Sequence, residues 1–199
     1  MRAITYESIF TVPNFLSVLR ILMVPVFLAA VWHHKAGVAM AIFAAASITD
    51  FLDGLFARLL DQKTRLGRLL DPIGDKLLMI GSFIILSFPA LSIPNAIPRW
   101  LTFSVIGRDI FILGGSLVLF MARRQKEFPP CFLGKASTFG QMGVLGFVLL
   151  FNVLRISPSI LQWFYYLCLA VTMASAINYF FIGIRILSRG RTATESSPE

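Results

Sequence analysis

The sequence predicts an all-α integral membrane protein with six transmembrane helices, and three observations support this fold class. Hydrophobic residues make up 57 % of the 199 residues and charged residues only 14 %, which is not the composition of a soluble globular protein. Six apolar runs each approach the ~20 residues that a membrane-spanning helix needs. The net charge of +8 is collected in short clusters between these runs. No basic face on a water-soluble body is visible, so no nucleic-acid partner is expected.

The apolar runs are separated by helix breakers. In order, they cover residues 13–32, 38–60, 69–91, 97–122, 136–154 and 158–187. The prolines between runs are Pro94, Pro98, Pro129, Pro130 and Pro158, where a break is expected. Pro25 predicts a kink inside the first run, and Pro72 predicts a proline in the first turn of a helix. The first run begins late and contains Arg20, so we expect it to remain in the mature protein.

The length favours a single membrane domain over residues 1–190. Residues 1–10 predict either a short juxtamembrane helix or a frayed terminus. The tail 191–199 is rich in Ser, Thr and Glu and is predicted to be disordered. Cys131 and Cys168 have no spacing that suggests a zinc site or a disulfide.

The distribution of basic residues predicts the orientation. Segments 58–68 and 123–135 and the C-terminal end carry most of them, whereas the opposite connections hold only Lys35, Arg99 and Arg155. By the positive-inside rule, both termini and the loops 61–67 and 123–135 face the cytosol. This predicts a multi-pass protein, with a bacterial inner membrane as the expected location.

Four carboxylates stand out because acidic groups are costly near hydrocarbon. They are Asp50, Asp53, Asp71 and Asp75. Positions three, four, seven and eight apart share one face of a helix, and this spacing joins Asp50 and Asp53 to Gly54, Ala57 and Arg58. Gly67, Asp71 and Asp75 are likewise four residues apart. A short loop between two antiparallel helices would bring both stripes to one pocket at the cytosolic border.

Four anions in one pocket would repel each other, and divalent cations would resolve this. Oxygen ligands favour Mg²⁺, Mn²⁺ or Ca²⁺, and two such cations on shared carboxylates suit phosphoryl-type displacement. The small residues would let a bulky ligand approach the backbone, and Arg58 could pair with a phosphate. Any one of these aspartates could instead cap a helix or pair with an arginine, but four with paired spacing favour a site.

The pattern D-x2-D-G-x2-A-R-x8-G-x3-D-x3-D, present in full from Asp50 to Asp75, resembles the signature of the CDP-alcohol phosphatidyltransferases. The first run contains P-N-F-L-S-V-L-R, which is similar to the opening pattern of that family. The resemblance covers most of residues 10–187. It implies a phospholipid-synthesising transferase that moves the phosphatidyl group of CDP-diacylglycerol to an alcohol, releases CMP and forms homodimers.

The resemblance also implies roles for individual residues. Two divalent cations, Mg²⁺ or Mn²⁺, would be held by Asp50, Asp53, Asp71 and Asp75. Asp75 would also be the general base. The cytidine and phosphate site would be shaped by Gly54, Ala57, Arg58 and Gly67, with Thr64 and Ser17 as further polar contacts.

The acceptor is sought in the fourth run, where Arg108 and Asp109 are intramembrane charges and hence functional candidates. Neighbouring positions lie ~100° apart on a helix, so we expect the two not to pair with each other. Arg108 could line an anionic acceptor pocket, to which Lys135 and Thr138, three residues apart, could add. Gln141 would lie off that face. Polar residues such as Asn152, Thr172 and Ser175 are expected to hydrogen-bond between helices.

Family members that use glycerol 3-phosphate typically carry a second arginine eight residues after the first, where this chain has Ser116. The segments R-D-x-x-x-L, L-G-K-A-S-T-F-G-Q and A-S-A-I-N-Y resemble the eukaryote-type cardiolipin synthases. Phosphatidylglycerol is therefore the favoured acceptor, and glycerol 3-phosphate is the alternative. A cation transporter is a more distant alternative, but it would place charges near the bilayer midplane and often in repeated halves. An inactive scaffold is disfavoured by the intact set of aspartates.

Overall fold

The computed structural model describes residues 12–59, 67–92, 94–123 and 132–192, with side chains for residues 15, 18–50, 74, 76–92, 94–115 and 132–184. Over this part of the chain every regular element is an α-helix and no strand occurs. The helices are α1 (Val12–Trp32), α2 (Ala36–Leu59), α3 (Gly67–Leu86), α4 (Arg99–Arg123), α5 (Phe132–Leu154) and α6 (Ile160–Thr192). The all-helical prediction is confirmed, whereas residues 1–10 and the tail beyond Thr192 lie outside the described part.

Two helical stretches among the described residues are long and apolar enough to cross a membrane. They are Phe132–Leu154, with a mean hydropathy of 1.6, and Ile160–Ile184, with 1.9. Val18–Trp32, Ala36–Asp50 and Lys76–Leu86 are shorter apolar helices. Large apolar side chains are also exposed along these elements, for example Phe139 and Trp163, as expected of surfaces that meet lipid rather than water.

The end of α3 differs from the prediction, which extended the third run to residue 91. The helix ends at Leu86, and the amides of Ser87 and Phe88 donate to the carbonyls three residues before them, at 3.1 and 3.3 Å. Pro89 follows at once, and proline restricts the preceding residue and offers no amide proton. Apolar composition continues to residue 91, but the helix does not.

The chain packs as two compact units. Unit 1 comprises the described residues of Met1–Ile97 and Leu145–Pro158, and unit 2 those of Pro98–Val144 and Ser159–Glu199. In unit 1, α1 packs along both α2 and α3, and the buried side chains include Phe27, Phe43 and Phe83. In unit 2, α4 packs against α6. The single domain over residues 1–190 stays a prediction.

A polar cluster joins the end of α5 to the connection that follows α3 in unit 1. The side-chain oxygen of Asn152 accepts from the backbone and side-chain nitrogens of Asn95, at 2.8 and 3.0 Å. Its amide nitrogen donates to Ser92 Oγ at 2.9 Å, and Ser157 Oγ donates to Asn95 Oδ1 at 2.8 Å. Buried amides are stable only when they are satisfied in this way. The prediction that Asn152 bonds across elements is confirmed, although its partners lie in a connection.

Helices α1 and α5 end in the same C-terminal capping motif, in which two backbone amides donate to carbonyls of the last turn. The residue at the left-handed position is His34 in one case and Arg155 in the other, with φ of 56° and 55°. Glycine usually stands there, and another residue costs about 1 kcal/mol. The bonds run from His34 N to Val31 O (2.9 Å), Lys35 N to Ala30 O (2.9 Å), Arg155 N to Asn152 O (3.3 Å) and Ile156 N to Phe151 O (3.1 Å).

Two glycines of α5 in unit 2 give a matched packing test. A Cβ on Gly134 would lie 2.8 Å from Tyr179 Oη and 3.1 Å from Cε2, whereas one on Gly140 would meet nothing within 4 Å. We expect Gly140→Ala to stabilise the protein by up to about 1 kcal/mol, the helix-propensity gain. Gly134→Ala should be less stable than Gly140→Ala by about 1–2 kcal/mol, because Tyr179 must move. Denaturant unfolding in mixed micelles measures both, and equal stabilities would contradict the packing described.

Candidate active site

The four aspartates of the motif lie at the connected ends of two helices. Asp50 and Asp53 are in the last three turns of α2, and Asp71 and Asp75 are in the first three turns of α3. The helical backbone at all four positions agrees with the predicted spacing. Helix α1 packs along both α2 and α3, so one helix of unit 1 contacts both helices that bear the aspartates.

Asp50 is the aspartate whose side chain the structure describes, and it is paired with Arg20 of α1. Arg20 Nη1 lies 2.6 Å from Asp50 Oδ1. The arginine side chain is 1 % exposed, whereas that of Asp50 is 40 % exposed. A buried guanidinium is stabilised by a carboxylate partner, and one that remains partly open can still bind a second cation. Arg20 therefore neutralises Asp50 without enclosing it.

Sequence reasoning missed the contribution of Arg20. It used this residue only to argue against a cleaved signal and to describe the opening pattern of the first run. The available signal was an arginine at the middle of an apolar helix, since such a charge needs a partner. The partner could not be chosen from periodicity, because it lies on another helix.

Two hydroxyl groups close to Asp50 are engaged with their own helix. Ser47 Oγ donates to Phe43 O at 2.9 Å and Thr49 Oγ1 donates to Ala46 O at 2.8 Å. Such bonds to the preceding turn satisfy hydroxyls in an apolar helix. Both hydroxyl protons are therefore already donated within α2. Among the described side chains near this end of α2, Asp50 is the acidic group that could bind a metal ion.

For most of the other predicted site residues, the structure describes the backbone but not the side chain. Helical backbone is described for Ser17, Asp53, Gly54, Ala57, Arg58, Gly67, Asp71 and Asp75, whose side chains lie outside the described set. Thr64 lies outside the described residues altogether. Their roles at the site remain predictions.

The acceptor candidates lie in unit 2, where Arg108 is the centre of a buried cluster. Its Nη2 donates to Ser175 Oγ at 2.9 Å and to Gly134 O at 3.5 Å. The guanidinium carbon lies 6.0 Å from the centre of the Tyr179 ring, within the range of a cation–π contact. Ser175 was predicted to hydrogen-bond between helices and does so, and its partner is the acceptor candidate.

The expectation that Arg108 and Asp109 do not pair is wrong. Arg108 Nη1 donates to Asp109 Oδ1 at 2.7 Å, and both side chains are buried. The ~100° between neighbouring positions describes the Cα–Cβ directions, whereas the long arginine stem and its fork of donors reach around the helix. The formal charge of Arg108 is therefore balanced locally.

The two remaining acceptor candidates differ in exposure. Lys135 is exposed, and Thr138 Oγ1 donates to Gly134 O at 3.2 Å, the same carbonyl that accepts from Arg108. Gln141 is fully buried, and its amide nitrogen donates to Ser137 Oγ at 3.2 Å and Thr172 Oγ1 at 3.4 Å. The described contacts thus bring Thr138 and Arg108 to one carbonyl and place Gln141 in a separate polar contact between α5 and α6.

The described structure is that of an apolar helical protein with two aspartates near the end of α2 and two near the start of α3. Comparison with known sequences narrows this description. The sequence model of the CDP-alcohol phosphatidyltransferases matches residues 10–176. The chain belongs to this membrane-bound family.

Three relatives illustrate the similarity. A cardiolipin synthase (CMP-forming) of Rattus norvegicus is 33 % identical over 198 residues, covering 90 % of this chain. A Mycobacterium tuberculosis protein named "Probable phosphatidylglycerophosphate synthase" is 41 % identical over 143 residues, covering 69 % of this chain. A cardiolipin synthase (CMP-forming) of Streptomyces coelicolor is 33 % identical over 153 residues, covering 72 % of this chain and 67 % of its own length. The matches span 63 % and 65 % of the rat and mycobacterial proteins.

The Arg20–Asp50 pair can be tested by a double-mutant cycle. Asp50→Asn should destabilise the protein by about 3 kcal/mol, because it removes the carboxylate from a buried guanidinium, and Arg20→Gln should cost less, because the Asp50 side chain is 40 % exposed. The double variant should be less stable than wild type by less than the sum, with a coupling of roughly 1–2 kcal/mol. Unfolding in mixed micelles without divalent cations measures this.

The matched control combines Arg20→Gln with Ser47→Ala. Ser47 bonds within its own helix, so these two effects should add. Additive effects for Arg20 and Asp50 as well would show that the ion pair does not contribute to stability.

Proposed function

We propose that the protein is a phospholipid-synthesising phosphatidyltransferase that transfers the phosphatidyl group of CDP-diacylglycerol to a glycerol-type alcohol and releases CMP. The observation that carries this proposal is the complete aspartate motif on α2 and α3, with Asp50 held by the buried Arg20. Relatives named as cardiolipin synthases (CMP-forming) and a phosphatidylglycerophosphate synthase support the same reaction class.

The donor set fits divalent cations. Asp50 offers an oxygen ligand that is 40 % exposed, and hard oxygen ligands are those that Mg²⁺ and Mn²⁺ prefer. Asp50, Asp53, Asp71 and Asp75 are the residues that would hold two such ions. When bound, the two cations would neutralise the donor pyrophosphate and the charge that develops on it.

The residues of the chain then have distinct tasks. Asp75 takes the proton of the acceptor hydroxyl, and the resulting alkoxide oxygen bonds to the phosphorus that carries diacylglycerol. The bond from that phosphorus to the bridging pyrophosphate oxygen breaks, and CMP leaves with the electron pair. Arg58 pairs with a phosphate of the donor. The cytidine and phosphate site is completed by Gly54, Ala57, Gly67, Thr64 and Ser17.

Phosphatidylglycerol is the proposed acceptor, and glycerol 3-phosphate is the alternative. The pairing of Arg108 with Asp109 supports this order, because a balanced pair attracts a doubly charged phosphomonoester less than a free arginine would. A phosphodiester carries a single negative charge, so it needs fewer cationic partners than a phosphomonoester does. Lys135 and Thr138 would complete the acceptor site.

The proposed setting is a bacterial inner membrane. Six helices would span it, the aspartates would lie at the cytoplasmic side, and two copies would form a homodimer through membrane helices. The two long apolar stretches in α5 and α6 and the exposed apolar side chains support membrane insertion. Positive-inside counting supports the orientation.

The reaction is tested by offering CDP-diacylglycerol with Mg²⁺ or Mn²⁺ to the purified protein and measuring CMP release. We expect release with phosphatidylglycerol and a slower rate with glycerol 3-phosphate. Chelation of divalent cations should abolish both rates. No CMP with any alcohol acceptor would refute the transferase, while a faster rate with glycerol 3-phosphate would reverse the order of the two acceptors.

Asp75→Asn tests the general base. Loss of a positioned base typically lowers turnover by roughly 10²–10⁴-fold, and loss of a cation ligand would add to this. We expect no detectable CMP release from a variant whose thermal unfolding in detergent remains cooperative. Turnover at the wild-type rate would exclude Asp75 as the base.

A further inference from the structure

Unit 1 contains a cavity of about 700 Å³ that is separate from the aspartates. It lies where α1 ends, α2 begins, and α3 and α5 end. Its lining includes Ala36 of α2, and Asp50 is fourteen residues further along the same helix, which is about 21 Å at 1.5 Å per residue. The cavity therefore lies at the opposite end of unit 1 from the candidate active site. Its volume falls within the roughly 300–1,000 Å³ of ligand pockets.

The lining has two chemical parts. The apolar side chains of the lining that keep accessible surface, Leu91 and Val153, form one wall, and the exposed basic lining residues His34, Lys35 and Arg155 form the part called the mouth. None of the described lining residues is acidic. Among the described residues, neither Lys35 nor Arg155 forms an ion pair. An apolar wall below an uncompensated basic mouth complements a molecule with an anionic head and an apolar tail.

Lys35 and Arg155 lie on the side of the protein where the sequence has few basic residues. The predicted connections on this side carry only Lys35, Arg99 and Arg155 as basic residues, and two of the three line this one cavity. Positive charge is generally scarce on that side of membrane proteins. Its concentration at a cavity mouth therefore needs a local reason, and the orientation rule does not supply one.

The backbone at the mouth is strained at two residues of the lining. His34 and Arg155 hold left-handed φ values of 56° and 55°, at helix ends where glycine would fit without strain. Non-glycine residues persist in this conformation only where the surrounding structure fixes them, and such residues are common at ligand-binding sites. Here the strain places an imidazole and a guanidinium at the mouth.

A fixed polar floor completes the cavity. Ser92 and Asn152 line it, and they are bonded to each other at 2.9 Å and to Asn95. These bonds hold the end of α5 against the connection after α3. The cavity is thus shaped by satisfied hydrogen bonds, and the basic residues at its mouth are the groups left to bind a ligand.

We propose that this cavity binds an anionic phospholipid, with the headgroup phosphate at Lys35 and Arg155 and an acyl chain along Leu91 and Val153. Arginine and lysine are the usual partners of phosphate oxygens. Free phosphate shares the head chemistry but would leave the apolar wall without a partner, so the lipid is the occupant. The site is distinct from that of phosphatidyl transfer, and its existence does not depend on that reaction.

Native mass spectrometry of the full chain purified in detergent tests the proposal, with dioleoylphosphatidylglycerol and dioleoylphosphatidylcholine as probes. We expect wild type to retain one more phosphatidylglycerol than the Lys35→Gln/Arg155→Gln variant, which should weaken that binding step about tenfold or more. Any phosphatidylglycerol at the aspartate site is common to both proteins. Arg99→Gln is the matched control, because Arg99 does not line the cavity, and it should bind as wild type does.

Arg155→Gly separates binding from folding. Glycine relieves the left-handed strain while adding freedom to the unfolded chain, so the thermal midpoint should stay near that of wild type. Retention of phosphatidylglycerol should nevertheless fall. A stable Arg155→Gly protein that binds this lipid as tightly as wild type would overturn the proposal.

Two further measurements show whether the bound phosphate belongs to a lipid or is free inorganic phosphate. An excess of inorganic phosphate should not displace the retained phosphatidylglycerol, and phosphatidylcholine should be retained more weakly than phosphatidylglycerol. Displacement by inorganic phosphate would show a simple anion site instead. Equal retention of the two lipids, or equal retention by wild type and the double variant, would show that Lys35 and Arg155 do not select an anionic lipid.

Discussion

The pairing of a buried arginine with a half-open aspartate is the interaction on which the candidate active site depends. A carboxylate at the end of an apolar helix needs a compensating charge, and Arg20 supplies it for Asp50 from α1. Because α1 also packs along α3, the same helix contacts both elements of the motif. The described partner of the motif is therefore a third helix, which the aspartate spacing itself does not include.

The second buried arginine has a different arrangement. In unit 2, Arg108 pairs with its own neighbour Asp109, and both side chains are almost fully buried. In unit 1, Arg20 is buried but its partner Asp50 is 40 % exposed. A pair closed on both sides offers little net charge, whereas a pair with one open carboxylate can still accept a cation. Exposure of the acidic partner thus distinguishes the two pairs more clearly than their distances do.

Hydropathy and breakers were enough to predict the number and order of the helices in the described chain. They failed at Leu86, where the helix ends although apolar residues continue, because the amides of Ser87 and Phe88 bond three residues back and Pro89 has no amide proton to continue the helix. Helical spacing placed the aspartates on α2 and α3 but could not find Arg20, whose partner lies on another helix. It also separated Arg108 from Asp109, since an angle between Cα–Cβ directions does not limit the reach of a long side chain.

The two ends of unit 1 carry residues of opposite charge, and this difference affects how charged ligands approach each end. The end with the aspartates carries the four acidic residues of the motif on α2 and α3, and the proposed cations would be needed there before an anionic substrate could approach. The end with the cavity has basic groups and no acidic lining residue among those described, so it attracts an anion directly. Because the backbone there holds His34 and Arg155 in a conformation better suited to glycine, the positive end is built by side-chain chemistry and against local conformational preference.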